Sequence, residues 1–389
     1  MSELPDATNH EAIDTEFAGD TAILTIDLDA LAANYHLLNK KSSRAICAAV
    51  VKADAYGLGV EPVVKRLLKE GCRTFFVANL NEAIKVRAVS SNIVIFNMGG
   101  LFPDTAPSYT KHNIFPVLNT VEEITEWTEH SRQLSHDTSG AAIQFNTGMN
   151  RMGMQCKALK ELISSNKLKA FNLKLIMSHL ACADEPDHEL NLKQLKEFST
   201  IRKLLPEIPA SLCNSAGILL GEDYHFDIVR PGISLYGGCS TVKGPNLMKP
   251  VASLNGRIAQ IENVPAGQSV GYGAMQTLKR NSRIATIALG YADGFFRFLG
   301  STDDIQKTSI AIGKYKAQLV GRVSMDLITV DITDIPEDLV QRSMLVEIMG
   351  THISVDDLAR QAGTIPYEIL TNLGNRYRRI YKEAVKSNG

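Results

Sequence analysis

The sequence predicts an α/β protein, an N-terminal (β/α)8 TIM-type barrel followed by a mainly β C-terminal domain. Three observations carry this. The 389 residues exceed what one ordinary core organises, so two domains are expected. Between residues 21 and 244 short apolar runs alternate with amphipathic stretches, about eight times in roughly 200 residues, the count and scale of a (β/α)8 barrel. Past TVKGPNLMKP, a Gly/Pro-bearing linker, the region 245–389 reads as strands without long helices between them: GRIAQIENV, RIATIALGYA, TSIAIGKYKAQLVGRV, LITVDIT and MLVEIMG, with short helices near DDLARQAG and YEILTNLG.

In chain order, residues 1–20 (MSELPDATNHEAIDTEFAGD) are acidic and lack the basic and apolar regions of a signal peptide; they are expected to form a flexible tail. DLDALAANYHLLNKK has helical spacing. The barrel strands are expected in AICAAVV, RTFFVAN, IVIFNM, IFPVLN, AAIQFN, LKLIMSH, ASLCN and FDIVRPG. The first of these, Ala45 to Val51, is a continuous apolar run of the kind that a strand covered on both faces requires. Between the runs, VEPVVKRLLKE, NEAIKVRAV, TVEEITEWTEH, KALKELISS and LNLKQLKEFSTIRKLL place apolar residues at i, i+3 and i+4. Polar residues cluster where the apolar runs stop: Lys52, Asn79, Asn97, Asn119, Asn146, His179, Asn214 and Arg230. Barrel enzymes build their sites on that rim. Strand-ending turns account for most of the asparagines. They account poorly for Lys52, His179 and Arg230.

Composition excludes several classes. Lys and Arg total 41 against 42 Asp and Glu, a formal charge of -1, so there is no basic field of the kind that binds nucleic acid. No apolar run approaches the roughly 18 residues of a membrane span. The six cysteines stand singly, without CxxC or metal-ligand spacing, and read as reduced thiols of a cytoplasmic protein; no metal site is expected.

Chemistry enters at VVKADAYGLG. A lysine at the end of a buried strand is costly as a cation, and desolvation lowers its pKa until the free amine is available as a nucleophile, for example to form a Schiff base. A rim lysine paired with Asp54 explains the position equally well.

VVKADAYGLG, TGMNRMG, SHLACAD, NSAG, VRPGISLYG, GYGAMQ, GYADG, GRVSMD and PYEIL occur in this order, and together they closely resemble the pyridoxal-phosphate-dependent alanine racemases, from about Ile26 to Tyr381. The resemblance implies interconversion of L- and D-alanine by two-base proton transfer at Cα, supplying D-alanine for peptidoglycan. Lys52 would hold pyridoxal 5'-phosphate and serve as one base. Tyr56, Ser215, the backbone of Gly232 and Ile233, and Tyr367 would hold the phosphate, with His179 and Asn214 also in the cofactor site. Asn214-Ser215 reads in addition as a helix N-cap. Arg230 would face the pyridine nitrogen. A guanidinium cannot give that nitrogen a proton readily, which weakens the electron sink and disfavours loss of the cofactor to transamination. Tyr272, between Gly271 and Gly273, would be the second base; a phenol needs cationic or hydrogen-bonding help for that task, and in the family His179 and Arg151 lie close to it. The family delivers this tyrosine into the barrel of the other subunit, so a homodimer with shared active sites is implied. Arg151, Tyr291, Met325 and Asp326 match positions near the substrate carboxylate and the entrance.

The sequence departs from the family pattern at Gln144. Many members have there a lysine that becomes carbamylated and holds the neighbouring arginine, and a glutamine cannot be carbamylated. Either a small anion such as chloride, bound between Arg151 and the amides of Gln144 or Asn146, replaces the carbamate, or the Gln144 oxygen suffices alone. The rival readings are a broad-specificity or serine racemase on the same scaffold and a non-catalytic pyridoxal-phosphate-binding protein. The second is disfavoured because such carriers lack the β domain and its tyrosine.

Overall fold

The chain opens with β1 (Ala22–Asp27) and the helix Leu28–Lys41, which starts where the Asp27 carboxylate accepts a hydrogen bond from Ala30 N at 2.8 Å. The computed structural model of the protein describes residues 19–134, 139–305 and 308–384. The tail expected over residues 1–20 lies outside the described residues except for Gly19 and Asp20. The chain divides into two units, neither continuous in sequence. One takes Ile26–Ala252, Ser354–Asn372 and the chain from Tyr381; the other takes Ser253–Ile353 and Leu373–Ile380 with the segment ending at Thr25.

The first unit is built on parallel strands: β2 (Ile46–Cys47), β3 (Ala49–Val50), β4 (Thr74–Val77), β5 (Val94–Asn97), β6 (Phe115–Leu118), β7 (Gly140–Gln144), β8 (Asn172–Met177), β9 (Ala210–Ser211) and β10 (Ile228–Val229). β3 to β9 pair in sequence order, and β10 pairs with β2 in the register Ile228 to Ile46 and Val229 to Cys47. The run expected as one strand, Ala45 to Val51, is therefore two short stretches interrupted at Ala48, the first pairing with the last strand and the second with β4. Asp227 N and Arg230 N donate to Ala210 O and Cys213 O, each at 3.0 Å, which joins β10 to β9. All eight apolar runs contribute strands, and most of their residues are buried whichever face they point to, as parallel strands require.

The helices between them follow from local rules. Asn79 and Thr120 cap Leu80–Val89 and Val121–Ser131 by accepting from Glu82 N at 2.9 Å and Glu123 N at 3.1 Å. Trp127 is fully buried, packs edge-on to Tyr109 with ring centroids 6.2 Å apart, and donates Nε1–H to Ser139 O at 3.1 Å. The two short C-terminal helices, Val355–Ala362 and Pro366–Thr371, belong to this unit and pack on each other.

The second unit consists mainly of antiparallel strands: β11 (Ala252–Val264), β12 (Ser282–Ile287), β13 (Ser309–Ile312), β14 (Tyr315–Leu319), β15 (Ile328–Asp331), β16 (Leu345–Met349) and β17 (Arg378–Lys382). The order β12-β15-β14-β13-β16-β11 closes on itself because β11 also pairs with β12. β11 does both jobs by length: Leu254 to Arg257 pair with β16, and Ile258 to Val264 pair with β12. Among the described residues no helix is long and apolar enough to cross a membrane, and the six cysteines are unpaired.

Trp127 is the chain's one tryptophan, so its fluorescence reports the barrel directly. Trp127→Ala is expected to lower unfolding stability by about 3–5 kcal/mol, against a smaller loss for Trp127→Phe, measured by urea denaturation followed by circular dichroism, since both variants lack the fluorophore. A loss below about 1 kcal/mol for the alanine variant would contradict the packing described.

Candidate active site

Lys52 comes two residues after the end of β3, following Val51, and the chain beyond it takes an unusual path. Ala53, Asp54, Ala55 and Tyr56 have φ of 52°, 53°, 54° and 57°, and Gly57 continues at 80°, so the chain makes a left-handed turn out of four residues that are not glycine. That conformation costs roughly 1–2 kcal/mol per residue, so the surroundings must impose it. They do so by hydrogen bonds: Ala53 N donates to Glu82 Oε1 at 2.8 Å, Gly57 N to Ala53 O at 2.7 Å, Gly59 N to Asp54 O at 2.9 Å, and Val60 N to Asp54 Oδ1 at 2.9 Å. Asp54 thus serves the turn. Gly57 is obligatory, because a Cβ there would sit 2.4 Å from Leu370 O.

The turn buries Tyr56, which stacks on Tyr236 with centroids 4.6 Å apart and lies 6.0 Å from Tyr367. A Cβ on Gly232 would meet the Tyr56 hydroxyl at 2.2 Å, so only glycine allows this approach. Gly232 N donates to Ser215 Oγ at 2.8 Å. The N-cap of the short helix Gly217–Leu220 is Ala216 and not the Asn214-Ser215 pair expected: Asn214 Oδ1 accepts from Gly217 N at 2.9 Å in the turn before the helix, and the Ser215 hydroxyl turns to the Gly232 loop. Ser215 and Gly232 occupy the loops after the last two barrel strands, where barrel enzymes commonly bind phosphate.

Arg230, next after β10, is almost fully buried, and its hydrogen bonds go to neutral acceptors: the Ser211 hydroxyl, Ser178 O at 2.6 Å and Leu212 O at 3.4 Å. Its guanidinium carbon also stands 5.8 Å from the centre of the Phe76 ring. Burial lowers its pKa to about 10, so it remains a cation at neutral pH. His179 Nδ1 is 3.4 Å from Arg230 Nη2. Burial, then the charges of Arg230, Arg151 and Lys52, push the His179 pKa down to about 3. The exposure His179 retains faces the cavity it lines. Lys52 is likewise lowered, by burial first and by Arg151 second, with Glu82 acting in the opposite sense.

Lys52, Tyr56, Arg151, His179, Asn214, Ser215, Arg230, Gly232, Ile233 and Tyr367 line one cavity of about 470 Å³. The size suits a small organic ligand. Every lining residue belongs to the barrel unit. In the other unit, Tyr272 is 73 % exposed on a turn whose flanking glycines, Gly271 and Gly273, have φ of 78° and 75°. Tyr291, Met325 and Asp326 come together there: Tyr291 N and Ala292 N donate to Ser324 O at 3.1 Å and Met325 O at 2.9 Å, and Arg376 bridges Asp326 at 2.8 Å and Asp293 at 3.3 Å.

Comparison with known proteins agrees with this geometry. Residues 26–240 match the alanine racemase N-terminal domain and residues 251–381 the alanine racemase C-terminal domain. The chain belongs to the alanine racemase family. A catabolic alanine racemase of Agrobacterium fabrum is 44% identical, over 93% of this chain and 92% of its own length. An alanine racemase of Methylobacterium nodulans is also 44% identical, over 93% of this chain and 96% of its own. Among solved structures, alanine racemase of Bartonella henselae with covalently bound pyridoxal phosphate superposes with a TM-score of 0.88 at 39% identity, covering 93% of this chain and 99% of that one.

Within the alanine racemase frame, Met98, Met152 and Met177 line the wall, and Ser178 and Ser211 hold Arg230; none of the five stands out singly in the sequence, although Met152 and Ser178 fall within TGMNRMG and SHLACAD. Gln194, fully buried, donates to Thr147 Oγ1 at 3.1 Å and His179 O at 2.9 Å, joining the loops that carry Arg151 and His179. Asn146 is committed to its own loop, accepting from Gly148 N and Asn150 N at 3.0 Å each and donating to Asn150 Oδ1 at 2.9 Å. The donor set fits pyridoxal phosphate: a lysine held toward its neutral form, hydroxyls and backbone N–H groups for an anion, and a buried guanidinium for a ring nitrogen.

The depressed His179 pKa makes a testable statement about acid. In the unfolded chain a histidine takes up its proton near 6.5, whereas here it does so near 3. The unfolded state binds the proton first, so the stability this residue contributes above about 6.5 is lost as pH falls toward 3. The His179 ring resonances should stay at neutral-imidazole positions between about pH 5 and 8. A midpoint inside that range would contradict the environment described.

Proposed function

We propose that this chain interconverts L- and D-alanine with pyridoxal phosphate bound at Lys52. The observation that carries the proposal is the placement of Lys52: an amine kept toward its neutral form at the wall of a cavity that also holds an anion cradle and a buried guanidinium. The bound cofactor draws electrons from the Cα of an attached amino acid, which makes its C–H bond acidic. Lys52 carries the cofactor covalently and moves the proton at one face of Cα. Ser215, Tyr56, Tyr367 and the Gly232-Ile233 backbone bind the phosphate, and Asn214 orders the loop that presents Ser215. Arg230 holds the ring nitrogen without protonating it, and neutral His179 lets that cation stand beside it. Arg151 binds the substrate carboxylate, and Tyr291, Met325 and Asp326 shape the entrance. Tyr272 moves the proton at the opposite face.

A racemase needs acid/base groups on both faces of Cα. We assign the second to Tyr272 of the partner in a homodimer, a reading supported by the 73 % exposure of Tyr272 and by a Lys52 cavity lined from the barrel unit alone. The D-alanine formed would serve as cell-wall material. With Asn146 committed to its own loop, the proposed chloride falls to Arg151 and Gln144, both in the cavity wall.

Purified protein should be yellow, and borohydride should fix the cofactor on the peptide containing Lys52; label on Lys65 or Lys85 would sink the assignment. Mixing inactive Lys52→Ala and Tyr272→Phe chains should restore activity, since one site of each heterodimer keeps both groups. Heterodimers that form and stay inactive would refute the shared site. Replacing chloride by gluconate at constant ionic strength should lower kcat/KM for alanine, and a Gln144→Lys variant should regain activity with bicarbonate. An unchanged rate on removing chloride would leave the direct Gln144 contact as the support of Arg151.

A further inference from the structure

Glu82 lies 30 positions beyond Lys52, in the first turn of the helix Leu80–Val89, and its two carboxylate oxygens are used separately. Oε1 accepts from Ala53 N at 2.8 Å, and Oε2 accepts from Ala78 N at 2.8 Å. Ala78 is the first residue past β4, and Ala53 is the first residue of the left-handed turn. One side chain thus ties the end of the neighbouring strand to the residue immediately after Lys52. Its own backbone is fixed by Asn79, whose Oδ1 accepts from Glu82 N at 2.9 Å.

We infer that Glu82 is a positioning residue for Lys52: its carboxylate clamps the N–H of Ala53 so that the left-handed turn is held and the lysine is aimed into the cavity. The chemistry requires glutamate at this place. Both partners are N–H donors, and only a group with two accepting oxygens satisfies both; an amide would turn an NH₂ toward one of them and leave that backbone group unpaired. An aspartate is one methylene shorter and cannot keep both contacts from the same backbone position. The carboxylate has a second effect, since it opposes the lowering of the Lys52 pKa by burial and by Arg151.

This inference rests on the proposed role of Lys52, and the two are separable by experiment. Failure of wild-type protein to carry borohydride-fixed cofactor on Lys52 would sink the proposed function, whereas the test of Glu82 reads the lysine itself. In full-length chain freed of cofactor, the pH dependence of cyanate modification at Lys52, followed by peptide mass spectrometry, gives the titration midpoint of the amine. In Glu82→Gln that midpoint should fall by about half a pH unit or more, because a negative charge near the amine has been removed. In the cofactor-loaded enzyme kcat should drop at least about tenfold while KM for alanine stays within about twofold, because the base is misplaced and the carboxylate site is untouched. If Glu82 serves only to cap its helix, Glu82→Gln will lose thermal stability with an unchanged Lys52 midpoint and kcat, and the inference is overturned. Should the variant not fold, hydrogen exchange of the Ala53 amide in the wild-type chain decides: slow exchange supports the clamp, and exchange at the rate of an open loop refutes it.

Discussion

The structure depends on a turn that its own residues disfavour. Four successive non-glycine residues after Lys52 take left-handed backbone angles, at a cost on the order of 4–8 kcal/mol. That cost is offset by the hydrogen bonds that tie the turn down and by the burial of Tyr56 against Tyr236. The return is geometric. A strand that continued straight would carry Ala53 to Tyr56 away from the barrel mouth; the reversal after Lys52 instead brings Tyr56 against Gly232, on the wall of the cavity that Lys52 lines. Gly57 and the helix Pro366–Thr371 enter the same constraint, since the close approach of Leu370 O leaves no room for a side chain at residue 57.

Electrostatics obey the same placement. The cavity wall gathers Lys52, Arg151 and Arg230 with His179. Cations brought together in a partly dry space disfavour each other's charge, and the groups that can yield do so: His179 stays neutral and Lys52 moves toward the free amine. Arg230 does not yield, and its need for acceptors is met by carbonyls and a hydroxyl rather than by a carboxylate on which a proton could rest. A site of this character accepts a phosphate and a carboxylate together while shifting its lysine toward the free amine. These are the demands of amino-acid chemistry on pyridoxal phosphate.

Much of this was legible in the sequence. The eight apolar runs are the barrel strands because parallel strands buried on both faces must be continuously apolar, a signal that does not depend on distant contacts. Lys52, His179 and Arg230 stood out because charge at the end of such a run has no cheap structural explanation. The left-handed turn was not legible: Ala-Asp-Ala-Tyr has no preference for it, and it exists only because Glu82, Asp54 and Leu370 surround it. The division of Ala45 to Val51 into two pairings was hidden for a similar reason, since closure is a property of the last strand as much as of the first. Asn146 is the strand-ending turn residue that its rim position suggested, its side chain bonding to Gly148 and Asn150, although the partners appear only in the folded loop. Glu82 carried no signal beyond that of an ordinary first-turn glutamate.

Proton transfer at Cα is the point where the strained turn, the lysine of lowered pKa and the exposed tyrosine have a common consequence. The most direct measurement is proton NMR in D₂O, with the purified protein and each enantiomer of alanine in turn. Both enantiomers should lose the Cα proton resonance, incorporate deuterium and converge on an equal mixture of L- and D-alanine. Exchange with full retention of configuration, or no exchange from either enantiomer in cofactor-loaded protein, would contradict a site that works on both faces of one carbon.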